Sequence, residues 1–215
     1  MKARNKHVLI TAGPTREHLD PMRFISNPSS GKMGYAIAEA ALRAGCTVDL
    51  VSGPVYLTAP EDVELHNVVS AQEMLVVVDR LFAAADCFIS VAAVSDWRPA
   101  RMETQKVKKD GASQSLELVS NPDILKAMSA RKQEGQIIVG FCAETEDLEM
   151  NAHKKLKDKS LDWIAGNLIG QGDVGFQSDS NELMLLGAGG QKHTIGPGPK
   201  HEIASELLRI VGLRP

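Results

Sequence analysis

The chain has 215 residues, 43% hydrophobic and 24% charged, with a formal net charge of −3. That is enough for one large α/β domain with a proper core, and the negative balance argues against wholesale nucleic-acid binding. No apolar run reaches the roughly 18–20 residues of a membrane span and the start of the chain lacks a signal-peptide core, so a cytoplasmic protein is expected.

The first predicted element is a buried strand, His7-Val8-Leu9-Ile10-Thr11-Ala12, broken into a loop by Gly13-Pro14. An eighteen-residue connection then runs from Gly13 to Ser30, where strand-to-helix loops usually take about 2–6 residues. It carries Arg16, Arg23 and Asn27 beside apolar Met22, Phe24 and Ile25. An Ala-rich helical run over residues 35–44 follows and stops at Gly45. The loop therefore ends at a helix N-terminus, where free N–H groups and the dipole favour an anion. Ser29 and Ser30 are candidate N-caps, while Gly31 and Gly34 permit close approach. A plain helix cap with close packing at Gly34 would explain the terminus but not the length of the loop. Neither standard nucleotide motif fits: a P-loop would need glycine and Ser or Thr where Ser26 and Met33 stand, and the dinucleotide fingerprint has Ser29 in place of its first glycine.

Residues 47–52 form a predicted second strand ended by Gly53-Pro54, with Asp49 early in it and Ser52 at its end. A ribose-binding acid belongs at that end, so its absence weakens a dinucleotide reading. A third strand is expected over 63–70 and a helix over 71–85, capped by Ser70 with Glu73 in a capping box. The fourth strand, 87–94, runs into Ser95-Asp96-Trp97, so Asp96 falls on the ligand side of a parallel sheet; an ordinary turn aspartate is the alternative. Residues 98–120, with Lys106-Val107-Lys108-Lys109, read as a flap that is partly β-ribbon. Ser120-Asn121-Pro122-Asp123 starts a helix ending near Gly135. A fifth strand spans 137–145, a helix carries Lys154, Lys155, Lys157 and Lys159, and a sixth strand spans 161–167. From Gly172 the pattern changes to a hairpin, 182–186 and 192–195 around Gly189-Gly190, and then a helix from about Lys200 to Val211. Cys46, Cys87 and Cys142 read as buried reduced thiols, and the histidines have no metal-ligand spacing. The expected architecture is a doubly wound, Rossmann-like, mainly parallel sheet with helices on both faces, forming a single unit over residues 1–215.

Seven stretches, in order, resemble phosphopantothenoylcysteine synthetases. They are Ile10-Thr11-Ala12-Gly13-Pro14-Thr15; Ile25-Ser26-Asn27 with Ser29-Ser30-Gly31-Lys32-Met33-Gly34; Ala92-Ala93-Val94-Ser95-Asp96-Trp97; Lys106-Val107-Lys108-Lys109; Asn121-Pro122-Asp123-Ile124; Gly140-Phe141-Cys142-Ala143-Glu144-Thr145; and Gly175-Phe176-Gln177-Ser178-Asp179-Ser180-Asn181. The resemblance implies an amide-forming ligase. The carboxylate of 4′-phosphopantothenate attacks the α-phosphate of CTP, and the amine of L-cysteine then displaces CMP from the acyl-cytidylate. By position it implies catalytic roles for Asn27 and Lys106 and a substrate contact for Arg23. The nucleotide positions it implies are Gly13, Ser29, Ser30, Gly31, Ser90, Val91, Ala92, Asp96, Lys106, Asn121, Pro122, Asp123, Ile124, Phe141, Lys155 and Lys159. It implies Mg2+ as cofactor with no ligand set assigned, a homodimer, and a flavin-dependent decarboxylase half fused to the ligase in many bacteria. Relatives in eukaryotes use ATP; Lys106-Val107-Lys108-Lys109 follows the CTP-dependent bacterial type. Two rivals stand beside this reading: an NAD(P)-dependent Rossmann-like reductase, and a non-catalytic regulatory or assembly homologue.

Overall fold

The computed structural model describes residues 5–109, 111, 113–169 and 178–213. β1 (His7–Ala12) is buried from Val8 to Ala12 and mostly apolar because both faces of a parallel sheet are covered. Val8, Ile10 and Ala12 go to one core and Leu9 to the other. The long connection is not irregular. β2 (Arg16–His18) and β3 (Phe24–Ser26) pair antiparallel within it, with Arg16 opposite Ser26. Three-residue strands give too little alternation to register as a period.

α1 (Lys32–Arg43) buries Ile37, Ala38 and Ala41, but its cap differs from the expectation. The N-cap is Gly31 at φ 78°, with no side-chain cap bond; Ser29 Oγ accepts from the Gly31 N–H at 3.3 Å instead. β4 (Thr47–Ser52) and β5 (Val63–Asn67) extend the sheet. α2 (Ala71–Phe82) has the expected Ser70 cap, accepting from the Glu73 N–H at 3.2 Å. The Glu73 carboxylate returns to the Val69 N–H rather than that of Ser70, at 2.8 Å. β6 (Cys87–Ser90) stops four residues short of Val94, because the chain leaves the sheet there.

The flap has the expected ribbon, β7 (Trp97–Pro99) against β8 (Leu118–Ser120). α3 (Ile124–Ser129) is capped by Asp123, not by the residues before Pro122, and it ends well before Gly135. β9 (Ile137–Glu144), α4 (Leu148–Asp158) and β10 (Trp163–Leu168) complete the parallel part. Gly175, Phe176 and Gln177, in the last motif, lie outside the described residues. β11 (Ser180–Gly187) and β12 (Lys192–Pro199) form a longer hairpin than expected, followed by α5 (Lys200–Ile210).

The sheet order is β12-β11-β10-β9-β6-β1-β4-β5. Its six parallel strands follow the doubly wound order in which the chain reverses direction between the first and fourth of them, here β1 and β6. β11 and β12 are added antiparallel at the β10 edge. α1 and α5 cover one face, and α2, α3 and α4 cover the other. Asp49 is held between His7 and His66, each at 2.6 Å, and takes no part in the cleft described next.

Candidate functional site

Where β1 and β6 diverge, both chains leave the sheet and are fastened to each other. The Ala93 N–H donates to the Gly13 carbonyl at 2.9 Å. The Thr11 hydroxyl accepts from the Ala92 N–H at 3.3 Å, and the Thr15 hydroxyl accepts from the Ser95 N–H at 3.0 Å. Gly13 is at φ 73°, and a Cβ there would sit 2.9 Å from Val55 Cγ1 and 3.0 Å from the Gly53 carbonyl oxygen. The floor of the switch point is thus built from hydroxyls and close backbone.

Above it lies a cleft of about 370 Å³, the size range of a small-molecule site. The first turn of α1, the loop after β6, the start of α3, the end of β9 and one side of α4 surround it. Of the sequence-predicted residues, Gly13, Asn27, Ser29, Gly31, Ser90, Val91, Ala92, Asp96, Asn121, Pro122, Asp123, Ile124, Phe141, Lys155 and Lys159 line it. Ser30, Arg23 and Lys106 are outside that lining.

Arg23 and the Lys106 segment are nevertheless brought together by Asp20, which is fully buried. The Asp20 carboxylate accepts from the Arg23 guanidinium at 2.5 and 3.0 Å, and from the backbone N–H groups of Met22, Arg23 and Val107 at 2.8, 2.9 and 3.1 Å. Arg23 also donates to the Val107 carbonyl at 3.0 Å. The bond from Arg23, and then that from the Met22 N–H, hold this carboxyl well below the usual carboxylate range. A depressed folded value means the anchoring is complete above the unfolded pKa and is lost only as pH falls through the lower folded one. The hairpin and flap therefore stay joined throughout the neutral range. Lys106 itself is exposed.

Asn27 directs its Nδ2 at the carbonyls of Ala93 and Val94, 3.2 Å from each. The amide oxygen is then the atom left for a ligand. Asn121 has a fastening role, donating to the Ser95 carbonyl at 2.8 Å. The two α4 lysines are held by carboxylates, Lys155 by Glu144 at 2.7 Å and Lys159 by Asp123 at 2.9 Å. Cys142 lines the cleft, but burial pushes its thiol up to about 11. All three cysteines are buried and free, so none supplies a thiolate nucleophile at neutral pH.

Four cleft residues with charged or amide side chains were not among the predicted site residues: Lys32, Asn167, Asn181 and Lys200. Lys32 and Asn181 lie inside quoted motifs, and Asn167 ends the sixth parallel strand on the ligand side. Lys200 has no local signal, since only the reversal through β12 carries it to the cleft. Among the described residues, no group of three or more His, Cys, Asp or Glu side chains is arranged to hold a metal.

The family model described as the DNA/pantothenate metabolism flavoprotein C-terminal domain matches residues 3–212. The coenzyme A biosynthesis bifunctional protein CoaBC of Vibrio vulnificus (strain CMCP6) is 47% identical over 209 residues, which is 96% of this chain and 52% of that protein. The protein of the same name from Bacillus subtilis (strain 168) is 44% identical over 207 residues, 96% of this chain and 51% of that protein. The chain thus spans about half the length of the curated relatives it matches. The crystal structure of the C-terminal domain of the coenzyme A biosynthesis bifunctional protein CoaBC aligns with a TM-score of 0.82 and 39% identity, covering 97% of this chain and 94% of that one. Matched over nearly its whole length in sequence and in fold, the chain belongs to the DNA/pantothenate metabolism flavoprotein C-terminal domain family.

Proposed function

We propose that the protein is a phosphopantothenate–cysteine ligase of coenzyme A biosynthesis that uses CTP. The observation that carries this reading is the convergence of the motif residues, widely separated in sequence, on one cleft at the sheet's switch point. The matched relatives are named for coenzyme A biosynthesis, which supports the same reading.

In the first step a carboxylate oxygen of 4′-phosphopantothenate bonds to the α-phosphorus of CTP, and the bond to the bridging oxygen breaks to release pyrophosphate. In the second, the cysteine amine attacks the acyl carbon, the bond from that carbon to the phosphate oxygen breaks, and CMP leaves as the amine gives up a proton. Neither step needs a protein nucleophile; both need positioning and charge stabilisation. Phe141 meets the base or ribose, and Lys155 and Lys159 meet the triphosphate, exchanging their carboxylate partners for phosphate oxygens. Lys106, on the flap, stabilises the pentavalent phosphorus and the departing pyrophosphate. Arg23, beside it, meets the carboxylate or phosphate of the acid. The Asn27 amide is neutral, so it can sit beside the phosphate without repulsion and engage the intermediate and the incoming amine.

Mg2+ fits a site of this kind. It is typically held by one or two carboxylates plus substrate phosphates, and exposed Asp96 on the cleft offers the carboxylate. When bound it would offset the charge of the triphosphate. The reductase reading has little left to stand on, since Asp49 is engaged by two histidines away from the cleft.

A homodimer is part of the proposal. The β2–β3 and β7–β8 ribbons are linked by the Glu103 N–H donating to the Leu19 carbonyl at 2.8 Å. Together they expose Met22, Phe24, Trp97 and Met102, an apolar surface that suits a partner copy. Sedimentation at micromolar concentration is expected to give twice the 23.2 kDa chain mass; a monomer would refute the dimer. A decarboxylase half, fused or associated, is the further partner proposed. Pyrophosphate release from CTP that depends on phosphopantothenate tests the ligase reading itself.

A further inference from the structure

The flap leaves its ribbon at Pro99 and returns to it at Leu118. Among the described residues, no helix or strand lies between them, and Thr104 to Lys109 are hydrogen-bonded to the rest of the chain at Val107 alone. Val107 is held on both sides. Its N–H donates to Asp20 Oδ2 at 3.1 Å, and its carbonyl accepts from Arg23 Nη2 at 3.0 Å. Two bonds of opposite sense on one residue fix the course of the backbone, and Lys106 is its neighbour in the chain.

The two oxygens of Asp20 hold different things. Oδ1 accepts from the N–H groups of Met22 and Arg23 at 2.8 and 2.9 Å, which closes the turn of the β2–β3 hairpin. Oδ2 accepts from Arg23 Nε and Nη2 at 3.0 and 2.5 Å, and from the Val107 N–H. A turn aspartate needs only the first oxygen. The second joins two cationic segments 84 residues apart in the chain. The Asp20 side chain is fully buried, whereas that of Arg23 is half exposed and its Nη1 takes part in none of these bonds. The buried carboxylate thus fixes one edge of the guanidinium and leaves Nη1 for an anion.

We propose that Asp20 is a positioning residue for the first step of the reaction. Through Oδ2 it holds the Arg23 guanidinium and the backbone beside Lys106 at one spacing, so that the acid and the α-phosphate of CTP meet two cations already set relative to each other. This rests on the ligase reading, which gives Arg23 the acid and Lys106 the phosphorus. Asp20 itself touches neither substrate.

Asp20→Asn separates the two oxygens. Its amide oxygen can keep the turn, while its NH2 group faces Arg23 and the Val107 N–H, donor against donor. Pyrophosphate release at saturating CTP and phosphopantothenate is expected to slow by about 100-fold, the loss typical of a group displaced by about 1 Å. The KM for phosphopantothenate should rise, while CTP affinity by calorimetry should hold. A double-mutant cycle shows whether Asp20 acts through the flap lysine: in a Lys106→Gln protein, Asp20→Asn should slow the step by no more than about threefold. Trypsin, which cuts after lysine, should cleave the Asp20→Asn protein faster at Lys106, Lys108 and Lys109 and no faster elsewhere. If Asp20→Asn does not fold, Val107→Pro takes its place with the same signature expected, since it deletes the N–H that Oδ2 accepts. An unchanged rate, a CTP affinity that falls with the rate, or losses that multiply in the cycle would overturn the role. If the wild-type chain releases no pyrophosphate, the ligase reading fails. The clamp is then judged by trypsin: faster cleavage at the flap supports it and equal cleavage refutes it.

Discussion

Asn27→Asp is expected to slow amide formation by about 100- to 1000-fold while the acyl-cytidylate builds up, the loss typical of removing one aimed polar contact. The substitution barely changes volume. In the wild type the Asn27 Nδ2 donates to the Ala93 and Val94 carbonyls, 3.2 Å from each. A carboxylate cannot donate, so two oxygens would face two oxygens and the side chain would be driven off the strand end. It would then carry a negative charge toward the phosphate of the intermediate, where the amide carried none. This geometry gives the amide's donor to the backbone and leaves its oxygen to the ligand, suited to accepting from the cysteine amine. The second step therefore suffers and the first does not. Lys106→Gln should have the opposite signature, little intermediate and slow pyrophosphate release. Chromatography of the nucleotides after a rapid quench separates the two. An Asn27→Asp protein that binds both substrates yet forms no intermediate would show that the roles are misassigned.

Gly53→Ala is expected to destabilise the fold by about 3 kcal/mol or more, since the added atom collides with rigid backbone. At roughly 2–4 °C per kcal/mol for a chain this long, the melting temperature should fall by about 6–12 °C. A Cβ at Gly53 would lie 1.8 Å from the Pro14 carbonyl oxygen and 2.8 Å from its carbon. The Gly53 N–H is itself committed to the Ala12 carbonyl at 2.9 Å. The loop cannot retreat without pulling on Pro14, which bridges to Ala93, and so on the floor of the cleft. CTP affinity should fall together with stability. Gly45→Ala is the control: Gly45 is at φ 81° with nothing within 4 Å of the added atom, so only the left-handed backbone penalty of about 1–2 kcal/mol applies. Melting curves in which Gly53→Ala is no worse than Gly45→Ala would refute the clash.

Much of this architecture was legible because a parallel sheet buries both faces of its strands. The runs at residues 7–12, 47–52, 87–90, 137–144 and 163–168 read as apolar blocks, and their order fixes which ends face ligand. Asp96 could be placed on the ligand side from that alone, whereas Phe141 and Asn121 were singled out by the family resemblance. What the sequence concealed has physical reasons. The β2–β3 hairpin is too short to show a period. Ser29 and Ser30 have the composition of caps, but left-handed Gly31 takes the cap position. Asp20 looks like a turn residue and instead ties the hairpin to the flap, leaving Arg23 paired at the cleft's edge. Lys200 and Asn181 reach the site through the β11–β12 hairpin; the turn at Gly189-Gly190 was legible, but no local spacing encodes its addition at the β10 edge, which brings both residues to the cleft.

The most direct measurement is a coupled assay with purified protein, Mg2+ and CTP, following pyrophosphate and CMP separately. Pyrophosphate should appear only when phosphopantothenate is present, and CMP should follow only when L-cysteine is added, in equal amount to the amide formed. Pyrophosphate release that ignores phosphopantothenate, or no release with both partners present, would contradict the ligase.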